Sequence, residues 1–473
     1  MKKRLLACML VLIIVLSIIL VGCGNNNSKG ESSTGVSNSK NANNGKRELV
    51  RIAWLGLSPN DTVDPISGIT FKGSYLFKEL LEEKIPEAEI QFIEIPGTNW
   101  IQKMETTIKS GEADIGWYTN QVLAAEWFVD HRQFMAKDPE FTEETFEKLF
   151  IPVAKHYTRY HTFDFPDKAG AIYGLPYDVA CYYIMYDKKL LEQWGVEPPS
   201  ERPTFKELLE IASKTTGKNP VTGKQNYGGY IRTYWCEWLG VGADIYRPLS
   251  MSEMDISKLD ISKYVDYVLE SEEVLDYFQF LIDFIKYCPP GITSDSGKEK
   301  WLTPDNDIAV MLDTSATGVY YNHYLAGNKE VTDRFVPIFL PIGEQGVSGF
   351  PEVHHVAVTY NAKNPDLAWK VVKTIATDKD VLNLIFEHYS PSQVPALVDT
   401  SGLKIMEDKF AKARYEDRLQ HSLITDDYWY WREPIQKVFG DLFVGKLTAE
   451  QARQQWHTNM MEWIENKKKQ LGK

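Results

Sequence analysis

From residue 47 onward the apolar and polar positions follow two alternating rhythms. Residues 49–57, LVRIAWLGL, form an apolar run that stops at the turn-rich Ser58-Pro59-Asn60-Asp61, the pattern of a buried strand. Behind it Tyr75, Leu76, Leu80 and Leu81 share one helical side, and Pro86 closes that helix. A second strand follows over Ile90–Ile95. Next comes a helix in which Trp100, Met104 and Ile108 recur every four residues, with Gly111 at the C′ position, and then a third strand over Ala113–Tyr118. This βαβαβ order predicts a mainly parallel sheet with right-handed crossovers. Ligands of such sheets sit beyond the carboxyl ends of the strands, here the loops at 58–61 and 118–121.

The same grammar recurs further on. Thr204 to Glu207 reads as a capping box, with Phe205, Leu208, Leu209 and Ala212 as the buried stripe behind it. A long helix is expected from about Val274 to Tyr287, ending at Pro289-Pro290-Gly291. Ile308–Leu312, Phe335–Leu340 and Val353–Tyr360 read as strands. Asn364-Pro365 starts another helix, and Thr448 to Gln451 is a second capping box. The charged, Ser-rich stretch 255–272 reads as a solvated excursion, and the chain has no solenoid-type repeat.

The N-terminus breaks this pattern. Lys2, Lys3 and Arg4 precede the uncharged run Leu5–Val21, the layout of a secretory signal over residues 1–22. About 17 apolar residues is also the lower limit for crossing roughly 30 Å of hydrocarbon, so a retained anchor helix is the competing reading. Leu20-Val21-Gly22-Cys23 resembles the lipobox of bacterial lipoproteins, which implies cleavage before Cys23 and acylation (palmitate) of its thiol. Residues 24–46 are nearly all Gly, Ser, Asn, Lys and Thr, too polar to bury a core, so 23–47 is expected to be a flexible tether wandering on the order of 25 Å. Either reading places the body outside the cytoplasm, lipid-anchored on the extracytoplasmic face of a bacterial membrane in the first case.

Composition narrows the partners. Over 400 residues is too long for one compact core, so two domains are expected. The net charge of −13 becomes −16 once Lys2, Lys3 and Arg4 leave with the signal. An acidic body repels phosphate backbones, which argues against nucleic acid and for a neutral or cationic ligand. Cys181, Cys236 and Cys288 can form at most one disulfide and have no metal-site spacing, and no cofactor is expected.

The stretch AIYGLPYDVACYYIMYDKKLLEQWGVEPPSERPTFKELLEIASK, residues 171–214, resembles the core of the extracellular solute-binding proteins of ABC importers, the sugar-binding family that includes maltose-binding protein. Asp187 stands where that family commonly has Asn, and Phe205 where it has Trp. DIAVMLDTSATGVYY from Asp307, RFVPIFLPIGEQ with VAVTYNAKNPDLAWKVVKTIAT from Arg334, and SPSQVPAL from Ser390 are similar to later family segments in the same order. The resemblance implies a two-lobed α/β fold of the periplasmic-binding-protein type (type II), with hinge segments joining the lobes and the ligand enclosed between them. By region it puts 48–178 plus 307–362 in lobe one and 182–303 plus 365–473 in lobe two. It further implies capture of a sugar, an oligosaccharide by preference, for a permease, with the protein a monomer and not an enzyme.

A sugar presents apolar C–H faces and a rim of hydroxyls, so its site needs aromatic rings and planar polar groups. The candidates by position are Asn60 and Asp61 after the first strand, and Tyr118, Asn120 and Gln121 after the third. Asp178 sits at the first crossover, Asp313 in the second crossover segment, and Phe350 on the loop before a lobe-one strand. TYWCEWLG offers Trp235, Glu237 and Trp238, and YWYW offers Trp429 and Trp431; for these tryptophans core packing is the equal alternative.

Two other classes compete. A surface glycoside hydrolase would need two carboxyls roughly 5 to 10 Å apart, for which Asp178 and Glu237 are the available pair. No H-E-x-x-H, G-x-S-x-G or Walker loop accompanies them, and His354-His355 point to opposite faces of a strand. A binding protein that reports to a membrane sensor would share every residue argued here.

Overall fold

The computed structural model describes residues 47–473, except 64–67, 120, 161–165, 233–235, 248–261, 293–295, 314–315, 350–351, 425–427, 471 and 473. The expected signal, Cys23 and tether lie outside the described residues. Within them, no helix is long and apolar enough to cross a membrane.

In chain order the strands are β1 (Glu48–Leu55), β2 (Thr62–Val63), β3 (Thr70–Phe71), β4 (Ala88–Ile95), β5 (Ile115–Tyr118), β6 (Leu175–Ala180) and β7 (Ile184–Asp187). They continue as β8 (Gly217–Lys218), β9 (Gln225–Ile231), β10 (Ile308–Leu312), β11 (Phe335–Ile338), β12 (Val353–Val358) and β13 (Gln393–Pro395). They make two helix-flanked sheets, ordered β13-β6-β12-β5-β1-β4 and β11-β7-β10-β9-β8, and a two-stranded β2-β3 hairpin.

The opening βαβαβ is as the periodicity predicts. β1 pairs in parallel with both β4 and β5, and its residues Val50, Ile52, Ala53 and Trp54 are buried. The intervening helices are Ser74–Lys84 and Trp100–Lys109, the second burying Met104 and Ile108 and ending at Gly111 with φ +72°. β12 inserts antiparallel between β5 and β6, because it re-enters the sheet from the other half of the molecule. The caps also behave as written in the sequence, with one difference. Thr448 and Gln451 make both reciprocal bonds, at 2.9 and 3.2 Å. At Thr204 the hydroxyl accepts from Glu207 N, but the Glu207 carboxylate turns back to Ser200 instead.

The expected lobe boundaries need correction. β10 pairs with β9 and β7, and β11 with β7, so 308–338 belongs to the second sheet and not to a lobe-one segment 307–362. The chain returns only at β12. Helices Pro365–Thr377 and Lys379–His388 then pack on the first half, and β13 becomes the edge of the first sheet, so 365–395 is not in lobe two. Pairing over such separations depends on which strand edges are open, which local periodicity does not encode.

The chain thus crosses between the sheets at 181–183, at 339–352 and after β13. Helix Lys409–His421 forms part of the third crossing and touches both sides: Tyr415 donates to Leu397 O at 2.8 Å, and Asp417 pairs with Arg202 of the second half. The described part of the expected excursion 255–272 contains helix Ser262–Glu270, whose Tyr264, Val265 and Val268 are buried, so it is not a solvated loop.

Candidate functional site

The carboxyl ends of the first-sheet strands carry an aromatic band. Trp54 on β1 lies 6.4 Å from Phe92 on β4 and 5.3 Å from Tyr177 on β6, ring centre to ring centre. Trp117 on β5 donates its indole N–H to Tyr177 Oη at 2.8 Å and lies 5.2 Å from the His354 ring on β12. The register puts these side chains on one face, since Ile52 opposes Ile115 and Val356 opposes Trp117. Trp100 packs edge-on against Trp117 at 5.4 Å.

At the hinge end of this band Asp178 Oδ1 lies 2.7 Å from His354 Nδ1. Burial favours the neutral imidazole, yet the Asp178 carboxylate beside it outweighs that and holds His354 above its ordinary value. Burial also raises Asp178, against the pull of His354. His355, on the opposite face, is stacked 4.6 Å from Tyr118 and bonded to Thr158 at 2.9 Å, and burial pushes it down to about 3. The two adjacent imidazoles therefore have opposite environments, as strand alternation requires.

The crossings meet here. Ala180 N donates to Glu352 O at 2.7 Å, Cys181 N to Gln393 Oε1 at 3.2 Å, and Tyr182 Oη to Glu352 Oε2 at 2.6 Å. Across from them, in the second half, Trp238 stands edge-on to Tyr182 at 4.7 Å. Glu237 is buried and accepts from Gln436 at 2.8 Å and Arg432 at 3.3 Å; burial raises its pKa against the Arg432 charge. Asp313 at the end of β10 is buried and paired with Lys298 at 2.5 Å.

A cavity of about 450 Å³ lies at the ends of β1 and β4. It is walled by Trp54–Ser58 and Glu94 of the first half, by the β2-β3 hairpin, by Gly318 and Asn322 of the second-half helix Ala316–Leu325, and by His388–Ser392. Two larger cavities, of about 770 and 690 Å³, are lined from the second half alone, at the end of its sheet where β10 begins. The smaller one is therefore the better candidate for a site that senses both halves.

The structure brings Asn60 and Asp61 to this cavity's hairpin, both exposed, with Asp61 accepting from Gly73 N and Lys72 Nζ at 2.9 Å each. Tyr118 is core: it is 1 % exposed, against Phe128 and His355. Asn120, Trp235 and Phe350 lie outside the described residues, and so do the side chains of Gln121, Trp429 and Trp431. Sequence reasoning passed over Tyr182; Glu352 belongs to the loop it placed toward the cleft, and His354 it weighed only as half of a metal pair with His355. Cys181, Cys236 and Cys288 are free thiols, the first two buried. No group of His, Cys, Asp and Glu among the described residues is arranged to hold a metal.

Two helix-flanked sheets joined by three crossings, with a cavity drawing on both, define a two-lobed α/β fold of the periplasmic-binding-protein type. Residues 72–271 match the family model of bacterial extracellular solute-binding proteins. Solved structures agree in fold. An ABC substrate-binding protein from Listeria monocytogenes, in complex with cycloalternan, is 14 % identical with a TM-score of 0.64, covering 90 % of this chain and 100 % of that one. The GacH receptor of Streptomyces glaucescens, solved unliganded and with acarbose, is 14 % identical at a TM-score of 0.64, covering 89 % and 100 %. A solute-binding protein from Thermotoga lettingae bound to α-D-tagatose is 18 % identical at 0.63, also covering 89 % and 100 %.

Proposed function

We propose that this protein captures a neutral saccharide, an oligosaccharide by preference, between its two halves and delivers it to the permease of an ABC importer. The observation that carries the reading is the cavity with walls from both halves at the end of an aromatic band. A ligand touching both walls completes its contacts only when the hinge is shut, so binding shifts the population toward a closed state. Asp178, Glu237 and Asp313 lie off the cavity and are paired with His354, Arg432 and Lys298, while Glu94 on its wall offers a carboxylate that sugar hydroxyls can donate to. We assign ligand contacts to the cavity wall, Trp54, Glu94 and Asn322 foremost, and retain Asn60, Asp61, Trp238, Trp235, Trp429, Trp431, Asn120, Gln121 and Phe350 as candidates. No chemistry on the ligand is involved. Cys23 is the lipid attachment point, keeping a monomeric receptor beside its permease on the extracytoplasmic face.

The test is a thermal-shift and calorimetry screen of the mature chain against mono- and oligosaccharides, with small-angle scattering on each hit. A ligand at 100 times its Kd should add about 2.7 kcal/mol of stability, and the scattering should show a more compact particle. No hit across the panel, or hydrolysis of the sugar in the same tubes, overturns the reading.

A further inference from the structure

β4 is the edge strand of the first sheet, and the cavity at the ends of β1 and β4 takes part of its wall from the paired strands β2 and β3. Thr62, Phe71 and Lys72 face the cavity from this hairpin, and Gly318 and Asn322 of the other half stand among the remaining wall.

The two ends of the hairpin are anchored to each other and to the cavity wall. Thr62 pairs with Phe71 and Val63 with Thr70. At its base the Asp61 carboxylate accepts from Gly73 N and from Lys72 Nζ, both at 2.9 Å. Ser74 N donates to Ser58 O at 2.8 Å and Tyr389 Oη to Gly73 O at 2.9 Å. The two ends approach so closely that a Cβ on Gly73 would lie 2.5 Å from Pro59 O. Every one of these bonds holds the two ends of a short excursion in register, and Tyr389 ties it to the wall formed by 388–392.

We propose that this hairpin is the end stop of the saccharide site, and that Phe71 and Thr62 set the length of chain the protein accepts. The inference rests on the saccharide reading. A cavity of about 450 Å³ lies in the lower half of the span for small-molecule sites, room for a short oligosaccharide whose terminal ring meets the hairpin. A longer chain has no exit past Phe71 on this side.

The experiment is calorimetry on the mature chain with linear α-1,4- and β-1,4-gluco-, β-1,4-manno- and β-1,4-xylo-oligosaccharides of one to six units. For the series that binds, affinity should rise to about two or three units and then fall at least tenfold. Phe71→Ala should move that limit outward by one unit or more and weaken the shortest binder several-fold. Thr62→Trp, at an exposed position that a large ring does not disturb, should move the limit inward. An unchanged length profile in Thr62→Trp and in Phe71→Ala, with wild-type binding intact, overturns the end-stop proposal and leaves the saccharide reading standing. Absence of binding by every series in the wild type overturns both.

Discussion

His354 and Asp178 face each other at 2.7 Å in the interior of the first half, with the Trp117 ring 5.2 Å and the Tyr177 ring 6.1 Å from the imidazole. The other charged group close by is Glu352, two residues earlier on the same segment, and it too favours the imidazolium. A histidine held above its unfolded value gives stability that is full below the unfolded pKa, near 6.5, and disappears as pH rises through the folded value. His354→Gln should therefore be clearly less stable than the wild type at pH 5.5, with the gap in urea midpoint narrowing steadily toward pH 9. A gap independent of pH would show that the pair is not ionised as described.

Arg51 and Asp114 pair in the opposite sense. Arg51 Nε and Nη2 each lie 2.9 Å from the carboxylate, and Lys363 N donates to it at 3.0 Å. Burial works against the carboxylate, but Arg51 and the two backbone donors hold it below its ordinary value. That stability is present above about 3.8 and is lost as pH falls through the lower folded value. Asp114→Ala strands a nearly buried guanidinium and should cost about 3 kcal/mol by denaturant unfolding at pH 7.

Gly228 on β9 lies against helix Phe205–Lys214 so closely that an added Cβ would sit 1.8 Å from Ala212 O. The atoms it meets, Ala212 O, C and Cα, are all backbone, so a side-chain rotation relieves nothing. Gly228→Ala should lose about 2 kcal/mol or more, seen as a lowered Tm, with sugar affinity retained at temperatures where the variant is folded.

Tyr182 ties the first crossing to the second through Glu352 and stands against Trp238 of the far half. Tyr182→Phe keeps the ring and removes one hydrogen bond worth about 1 kcal/mol. Denaturant unfolding of the ligand-free protein should show a loss of about 1 kcal/mol, and calorimetry a lowered sugar affinity. That loss of stability with unchanged affinity would place the bond in folding alone.

Local structure was legible in the sequence wherever a signal lies within a few residues of its effect. The βαβαβ start, the Gly111 terminus, the Thr448 box and the Asn364-Pro365 helix start all match the structure. What depends on distant partners was not. Ile308–Leu312 reads as a strand, but its neighbours β9 and β7 are chosen by open edges some eighty and more than a hundred residues back. Glu237 reads as a cleft carboxylate because nothing nearby neutralises it; the residues that do, Arg432 and Gln436, arrive nearly 200 positions later. Tyr118 ends its strand as expected, yet Phe128 and His355 cover it. The hairpin escaped notice because strands of two residues carry no periodicity.

The return of the chain to its first sheet has a consequence for biosynthesis. A ribosome finishes β11, the last strand of the second sheet, before it makes β12, which must slot between β5 and β6. At 5 to 20 residues per second the roughly 170 residues separating β6 from β12 take on the order of ten seconds or more. The sheet begun first is thus sealed last, and its nascent half waits open while the other matures.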